Sequence, residues 1–341
     1  MNKKKKIQFG SGATDFYFAS SISRLKEITE PRHTVLITDS NIQQAHARRF
    51  KPWRVLVLEP GEKHKKQATV DRMVQQLIDW EVDRKTVLVG VGGGVVTDIT
   101  GYLASVYMRG LRFGFLPTSL LALVDASIGG KNGVDVGDYK NLVGVIRQPN
   151  FILHDMAFLR SLPETEWRNG FAEIIKHACI RDAALFRELE TLSLRHFQKR
   201  QKSVCDLVQR NALLKAKVVQ ADETEQGDRR LLNFGHTLGH AIETKYNLMH
   251  GEAVAIGMNF AARLSEKLLK FKEALRVEKL IERYGLPAKL DFDRERTFEI
   301  LKMDKKRERA VMNYVLLEKL GKGKVKAIEM DRLREFILTL S

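Results

Sequence analysis

Four short runs in the first third of the chain are apolar at nearly every position: HTVLIT at 33–38, RVLVL at 54–58, KTVLVGV at 85–91 and RFGFLP at 112–117. Such runs leave no polar face to turn toward water, so they predict strands buried on both faces of a parallel sheet. Between them lie stretches with apolar residues at helical spacing, such as QATVDRMVQQLIDWEV at 67–82, which predict amphipathic helices. Alternating strand and helix predict an α/β domain of Rossmann-like form. The pattern changes after about residue 155. AEIIKHACI, AALFRELETL, SVCDLVQRNALLKAKVVQA and GEAVAIGMNFAARLSEKLLK are all helical in period. The expected organisation is an α/β parallel-sheet domain over 1–155 and a mainly α-helical domain over 156–341, divided near LHDMAFLRSLP at 153–163. A cleft between the two is where a ligand is expected.

Composition narrows the class. A chain of 341 residues exceeds one ordinary core, and 44% hydrophobic with 29% charged residues is normal for a globular protein. The opening MNKKKKIQFG has basic residues but no apolar stretch behind them, so it does not read as a secretory signal. FGFLPTSLLALV is too short for a membrane span and holds Pro117. Cys179 and Cys205 do not make a disulfide framework, which points to the cytoplasm. The net charge of +16 suits either nucleic-acid phosphates or an anionic small substrate. The cations are spread along the chain, and their clusters, KKKK and DKKRER, carry no interleaved aromatics. The expectation is therefore a small anionic substrate, with no nucleic acid and no membrane as partner.

VLVGVGGGVVTDITGY at 87–102 runs from a strand through glycines into a helix. Backbone amides at such a helix start, with no side chains in the way, suit a pyrophosphate. The spacing departs from G-x-G-x-x-G, because Gly90 and Gly92 are followed by Val95, and no acid stands about twenty residues on. Asp39, at the end of VLITD, is the acid placed to hold a ribose hydroxyl. The alternative is that the glycines serve only a tight turn.

LLNFGHTLGHAIE at 231–243 sets His236 and His240 four residues apart, and HGEAVAIGM puts His250 at the next helix start. NGFAEIIKHACI places Glu173, Lys176 and His177 on one helical face. Catalytic zinc takes three N or O ligands and keeps one position open. Glu173, His236 and His250, on separate segments, would meet that requirement, with His240 left to face substrate. The alternative is a solvated Glu–Lys helix pair and histidines of purely structural use.

GGGVVTDITGYLASVYMRG, PTSLLALVDASIGGKNGVDVGDYKNLVG, NGFAEIIKHACI, KAKVVQADETEQGDRRLLNFGHTLGHAIE, HGEAV and MDKKRE, taken in order, resemble the 3-dehydroquinate synthase family over nearly the whole chain. The resemblance implies conversion of 3-deoxy-arabino-heptulosonate 7-phosphate to 3-dehydroquinate and phosphate, in the shikimate route to aromatic amino acids. It implies catalytic NAD, a divalent metal such as Zn2+ or Co2+, a homodimer, and a net lyase reaction. In that family NAD takes a hydride and later returns it. The substrate's own phosphate is the candidate base for elimination, and an aldol step closes the ring.

Carried over to this sequence, the resemblance makes Glu173, His236 and His250 the metal ligands. It sets Asp125, Lys176, Asn233 and His240 around the substrate hydroxyls and carboxylate. Lys131, Asn141, Lys215, Arg229 and Lys305 would grip its anionic ends, with Arg109 reaching the phosphate from a second subunit. For NAD it implies Asp39 and Asn41 at the adenosine ribose, Glu62 and Lys65 in GEKHK, and Gly93, Gly94, Val95 and Asp98 at the pyrophosphate. Thr118, Ser119, Lys131, Lys140, Ser161 and Glu166 would complete that edge. Ser119 and Ser161 stand where the family usually has Thr, and VDVGDYKN lacks the His and Pro often found there. Three rivals stand beside this reading. One is another sugar-phosphate cyclase, of the 2-epi-5-epi-valiolone or 2-deoxy-scyllo-inosose synthase type. The others are a metal-dependent polyol dehydrogenase, which would release NADH, and a binding protein without catalysis.

Overall fold

The computed structural model describes residues 3–137, 139–243, 245–304 and 311–340. Eleven strands are assigned among them: β1 Lys3–Gln8, β2 Ala13–Phe18, β3 Thr34–Asp39, β4 Arg54–Leu58, β5 Val87–Gly92, β6 Arg112–Pro117, β7 Lys131–Val136, β8 Tyr139–Ile146, β9 Phe151–Leu153, β10 Val311–Lys319 and β11 Lys322–Glu329. Seven form one sheet in the order β1-β2-β9-β6-β5-β3-β4. It is parallel except for the β1–β2 pair.

The apolar runs bury both faces as expected, and period-2 alternation does it. Val35 and Ile37, Leu88, Phe113, Phe115 and Ile152 enter one core. Leu36, Val87, Val89, Val91, Leu116, Phe151 and Leu153 enter the core on the other face. β4 departs from the expectation: it is an edge strand, with Arg54 and Val57 exposed. The antiparallel pairs β1–β2, β7–β8 and β10–β11 escaped the sequence reading. Their residues mix charge with apolar positions and lack the dense Val and Ile signature of buried parallel strands.

The topology also creates a switch point. From β3 the chain moves outward to β4, while from β5 it moves the other way to β6. The carboxyl ends of these adjacent strands therefore open a crevice, the usual ligand position in open α/β sheets.

Contacts divide the chain into two compact units. One is Met1–Pro163 with Gln201–Thr224, the other Glu164–Arg200 with Glu225–Ser341. This differs from a single division after residue 155. The helix Gln201–Ala221 belongs with the sheet because Ala212, Ala216 and Val219 enter its core. Helical period alone cannot say which core a helix face will join.

In the second unit the helix Glu164–Arg181 is buried continuously from Asn169 to Ile180. A helix buried on all sides is central to its domain, so polar groups on it are held rigidly and away from water. The helices His236–Glu243 and His250–Leu269 carry further candidate side chains of this unit, and the β10–β11 hairpin lies in the same unit. Among the described residues no helix is long and apolar enough to cross a membrane.

Candidate active site

Glu173, Lys176 and His177 project from the central helix, all buried. Glu173 Oε1 lies 3.5 Å from His236 Nε2 and 3.3 Å from His250 Nε2. Lys176 Nζ contacts Oε2 of the same carboxylate. The His236 and His250 ring centroids are 5.4 Å apart. One donor atom from each of Glu173, His236 and His250 lies within 4.8 Å of the others. A carboxylate and two imidazoles converging this way are the kind of N/O donors that a divalent metal ion takes. His240, Glu243 and His250 form a second group within the same limit, sharing one ring with the first.

The backbone makes this convergence possible. Gly235 has φ +83°, and a Cβ on Gly257 would fall 1.9 Å from the Gly235 carbonyl oxygen. The segment that opens the His236 helix therefore touches the His250 helix main chain to main chain, which only glycine permits. The first turn of the His250 helix is tied to the central helix as well, since Gly251 N–H donates to Asn169 Oδ1 at 2.5 Å.

The two rings that face Glu173 differ electrostatically. Burial and the Lys176 ammonium hold His236 well below the usual imidazole range, so its ring is neutral. Burial opposes charge on His250 too, but hydrogen bonds to Glu173 and Glu243 outweigh it and push the ring up to about 9. A neutral His236 is ready to ligate; His250 must shed a proton to do so, as metal binding generally requires.

Arg229, almost fully buried, and Asn233 belong to the short 3-10 helix Asp228–Asn233. Asn233 Nδ2 donates to Glu225 Oε1 at 2.5 Å. Glu225, at φ +62°, is an acid beside a candidate substrate residue that the sequence reading missed; nothing in the spacing of DETEQGDRR distinguishes it from its acidic neighbours. The His240 ring is 5.3 Å from that of His236 and is exposed at the surface of this cluster. Lys305 lies outside the described residues. Glu166 belongs to the second unit, where its carboxylate accepts from Asn169 Nδ2 at 3.2 Å.

The first unit carries the other candidates. Gly93 caps the helix Gly94–Val106 directly after β5. A Cβ on Gly92 would meet Val96 Cγ2 at 2.5 Å, and one on Gly93 would meet Ser119 Oγ at 3.4 Å. The turn thus presents bare backbone at Gly93 and Gly94, followed by Val95, with Thr118 and Ser119 alongside; Thr118 N–H donates to Gly92 O at 3.0 Å. Asp39 ends the neighbouring strand and caps the next helix by accepting from Ile42 N–H at 3.0 Å, with exposed Asn41 following. Burial raises the Asp39 carboxyl above its ordinary value.

Lys65, itself buried, is the hub of a polar group in this unit. Its Nζ donates to Asp98 Oδ2 and to Asn141 Oδ1, each at 2.5 Å, and Glu62 lies 3.8 Å away. Burial opposes the Lys65 charge, but Asp98 and Glu62 outweigh it and raise its pKa. Burial raises Asp98 and Glu62 despite Lys65. Asp125 sits in the π-helical turn Ala122–Ala126, a form frequent at functional sites. Lys215 Nζ holds it at 2.8 Å through both its carbonyl and its carboxylate. Lys131, Lys140 and Arg109 are exposed. Ser161 Oγ lies 2.8 Å from His46 Nε2.

Sequence comparison places these groups in context. Residues 55–169 match the family model of the 3-dehydroquinate synthase N-terminal domain, and residues 170–307 that of the C-terminal domain. The chain is 38% identical to a 3-dehydroquinate synthase of Dehalococcoides mccartyi over 332 residues, covering 94% of this chain and 91% of that one. Among solved structures it is similar to 2-deoxy-scyllo-inosose synthase complexed with carbaglucose-6-phosphate, NAD+ and Co2+, with 25% identity, a TM-score of 0.85, and coverage of 98% and 99% of the two chains. The fold is also that of 2-epi-5-epi-valiolone synthase from Streptomyces hygroscopicus subsp. jinggangensis 5008 with NAD+ and Zn2+ bound, with 24% identity, a TM-score of 0.87, and coverage of 100% and 98%.

Proposed function

The chain belongs to the 3-dehydroquinate synthase family, and we propose that it converts 3-deoxy-arabino-heptulosonate 7-phosphate to 3-dehydroquinate and phosphate as an NAD- and metal-dependent lyase. The observation that carries this reading is the Glu173–His236–His250 cluster with Lys176 on its carboxylate.

That donor set fits a zinc or cobalt ion, and the bare turn at Gly93 and Gly94 beside Asp39 fits a dinucleotide. When bound, the ion would supply a Lewis acid for a substrate hydroxyl and NAD a hydride acceptor that is restored within the cycle. The chain's own groups do the rest. Glu173, His236 and His250 would hold the ion, and Lys176 would place a positive charge beside it where a substrate oxygen gains negative charge. Asn233 and His240 offer hydrogen bonds to hydroxyls. Arg229 supplies a planar cation suited to a carboxylate. Lys131 and Lys215 add charge for the phosphate and carboxylate ends, and Asp125, held by Lys215, is an acceptor for a hydroxyl. Asp39 and Asn41 would take the ribose, Glu62 and Lys65 would contact the cofactor with Asp98 near the pyrophosphate, Lys140 would serve the phosphate or the nicotinamide side, and Asn141, bonded to Lys65, would grip an anionic end of the substrate. Thr118, Ser119, Ser161 and Glu166 would finish the cofactor contacts. We place the enzyme in the cytoplasm as a homodimer. The β7–β8 hairpin supports the second point, because Val136, Tyr139, Leu142, Val143 and Ile146 on it are exposed, and apolar surface of that kind marks association sites. Arg109 follows exposed Met108 in a turn where both have positive φ, a place from which it would reach a partner's substrate.

The reading is tested by following phosphate release from the heptulosonate phosphate with NAD and zinc, while reading NADH absorbance. The expected result is one phosphate per dehydroquinate with no net NADH. Net NADH would move the protein to the polyol dehydrogenases. Inactivity on this substrate, with turnover of glucose 6-phosphate or sedoheptulose 7-phosphate, would move it to another cyclase type.

A further inference from the structure

We propose that Glu243 is a positioning residue that fixes the tautomer and direction of the His250 ring from behind, and that it is not itself a metal ligand; this rests on the metal reading of the Glu173 cluster. The His250 ring stands between two carboxylates. Its Nε2 is 3.3 Å from Glu173 Oε1, and its Nδ1 is 3.4 Å from Glu243 Oε2. A neutral imidazole carries one N–H and one lone pair. A carboxylate can only accept, so Glu243 keeps the proton on Nδ1 and leaves the Nε2 lone pair aimed at the side where Glu173 and His236 converge. Carboxylates placed this way orient ligand rings and raise their basicity.

The burial of Glu243 strengthens the inference. It lies in the helix His236–Glu243 and is only 8% exposed. A buried acid needs a polar partner, and the His250 ring provides one. The backbone keeps the two in register, since Leu248 N–H donates to Glu243 O at 3.1 Å in the short connection to His250.

The rival is that His240, Glu243 and His250 hold an ion of their own, since their donor atoms also lie within 4.8 Å. That would require the His250 ring to bridge two ions through both nitrogens. The single-ion arrangement uses the observed Nδ1 contact as a hydrogen bond and needs no bridge.

The test measures zinc affinity by chelator competition, zinc stoichiometry, and the visible spectrum of the Co2+-loaded protein, for the wild type, Glu243→Gln and Glu243→Ala. The Glu243→Ala variant should keep one equivalent but bind it on the order of 10- to 100-fold more weakly, with an altered Co2+ spectrum. Glu243→Gln, close to isosteric and still able to accept at its amide oxygen, should fall between the two with unchanged circular dichroism. Variants indistinguishable from a tightly binding wild type would overturn the proposal alone. So would a wild type with two equivalents from which Glu243→Ala loses one. A wild type that binds neither ion would remove the metal reading, and this proposal with it.

Discussion

Replacing Gly257 with alanine should weaken metal binding by roughly 100-fold or more and lower the unfolding free energy by about 1–3 kcal/mol. Gly257 lies two turns into the His250 helix and contacts no ligand directly in this account. Its new Cβ would arrive 1.9 Å from the Gly235 carbonyl and 3.0 Å from the Gly239 nitrogen. Both neighbours are main chain, so no side chain can rotate away. Relief requires moving one helix by about 1 Å or more, since ordinary contact between carbon and oxygen needs well over 3 Å. Such a movement separates His250 from His236, and a metal site tolerates only about 0.5 Å of error. Zinc affinity and the thermal midpoint would be read together. Gly12→Ala is the control, because nothing lies within 4 Å of a Cβ built there. A Gly257→Ala protein with full zinc affinity would show that close helix packing does not build the site.

The second large effect is expected at Lys176. The Lys176→Met variant should lose turnover by roughly 10²- to 10³-fold while still binding zinc and NAD, because an oriented charge beside developing charge acts mainly in the transition state. A structural signature should accompany the loss. Glu173 and Lys176 form a pair in which both side chains are at most 2% exposed. Removing the lysine leaves Glu173 with the His250 ring, 3.3 Å from its other oxygen, to offset part of its charge, at a cost of up to about 3–5 kcal/mol. A bound divalent ion would compensate Glu173 in place of the lysine. The metal-free variant should therefore be clearly destabilised, and zinc should restore more stability to it than to the wild type. Near-normal turnover would remove Lys176 from the reacting centre; equal destabilisation with and without zinc would break the link between this pair and the metal.

Much of this was legible in the sequence, and the reasons are local. The runs at 33–38, 85–91 and 112–117 became β3, β5 and β6 because an unbroken Val/Ile/Leu stretch has one stable place, between two apolar layers. The Glu173–Lys176 face was legible because helical period fixes which residues share a side. That His236 and His250 meet Glu173 was open on spacing alone, and family resemblance pointed to it. What brings them together is the contact of Gly235 with Gly257, twenty-two residues apart, which no periodicity encodes. Glu225 was not singled out, being one acid among several in a polar stretch, and Glu243, though it stands close behind His236 and His240, was given no role because its partner arrives from the next helix. Lys65 was expected at the cofactor. Its link to Asn141 was not, since that pairing depends on the β7–β8 hairpin, whose mixed polarity concealed it.

The most direct test of the account is a zinc titration of the chelator-stripped protein beside Glu173→Gln and His236→Ala, with phosphate release followed at each addition. The account expects the wild type to take up one equivalent and gain activity in step, while both variants bind at least roughly 100-fold more weakly and stay inactive. Variants that retain a full tight equivalent, or a wild type whose activity rises without bound zinc, would contradict it.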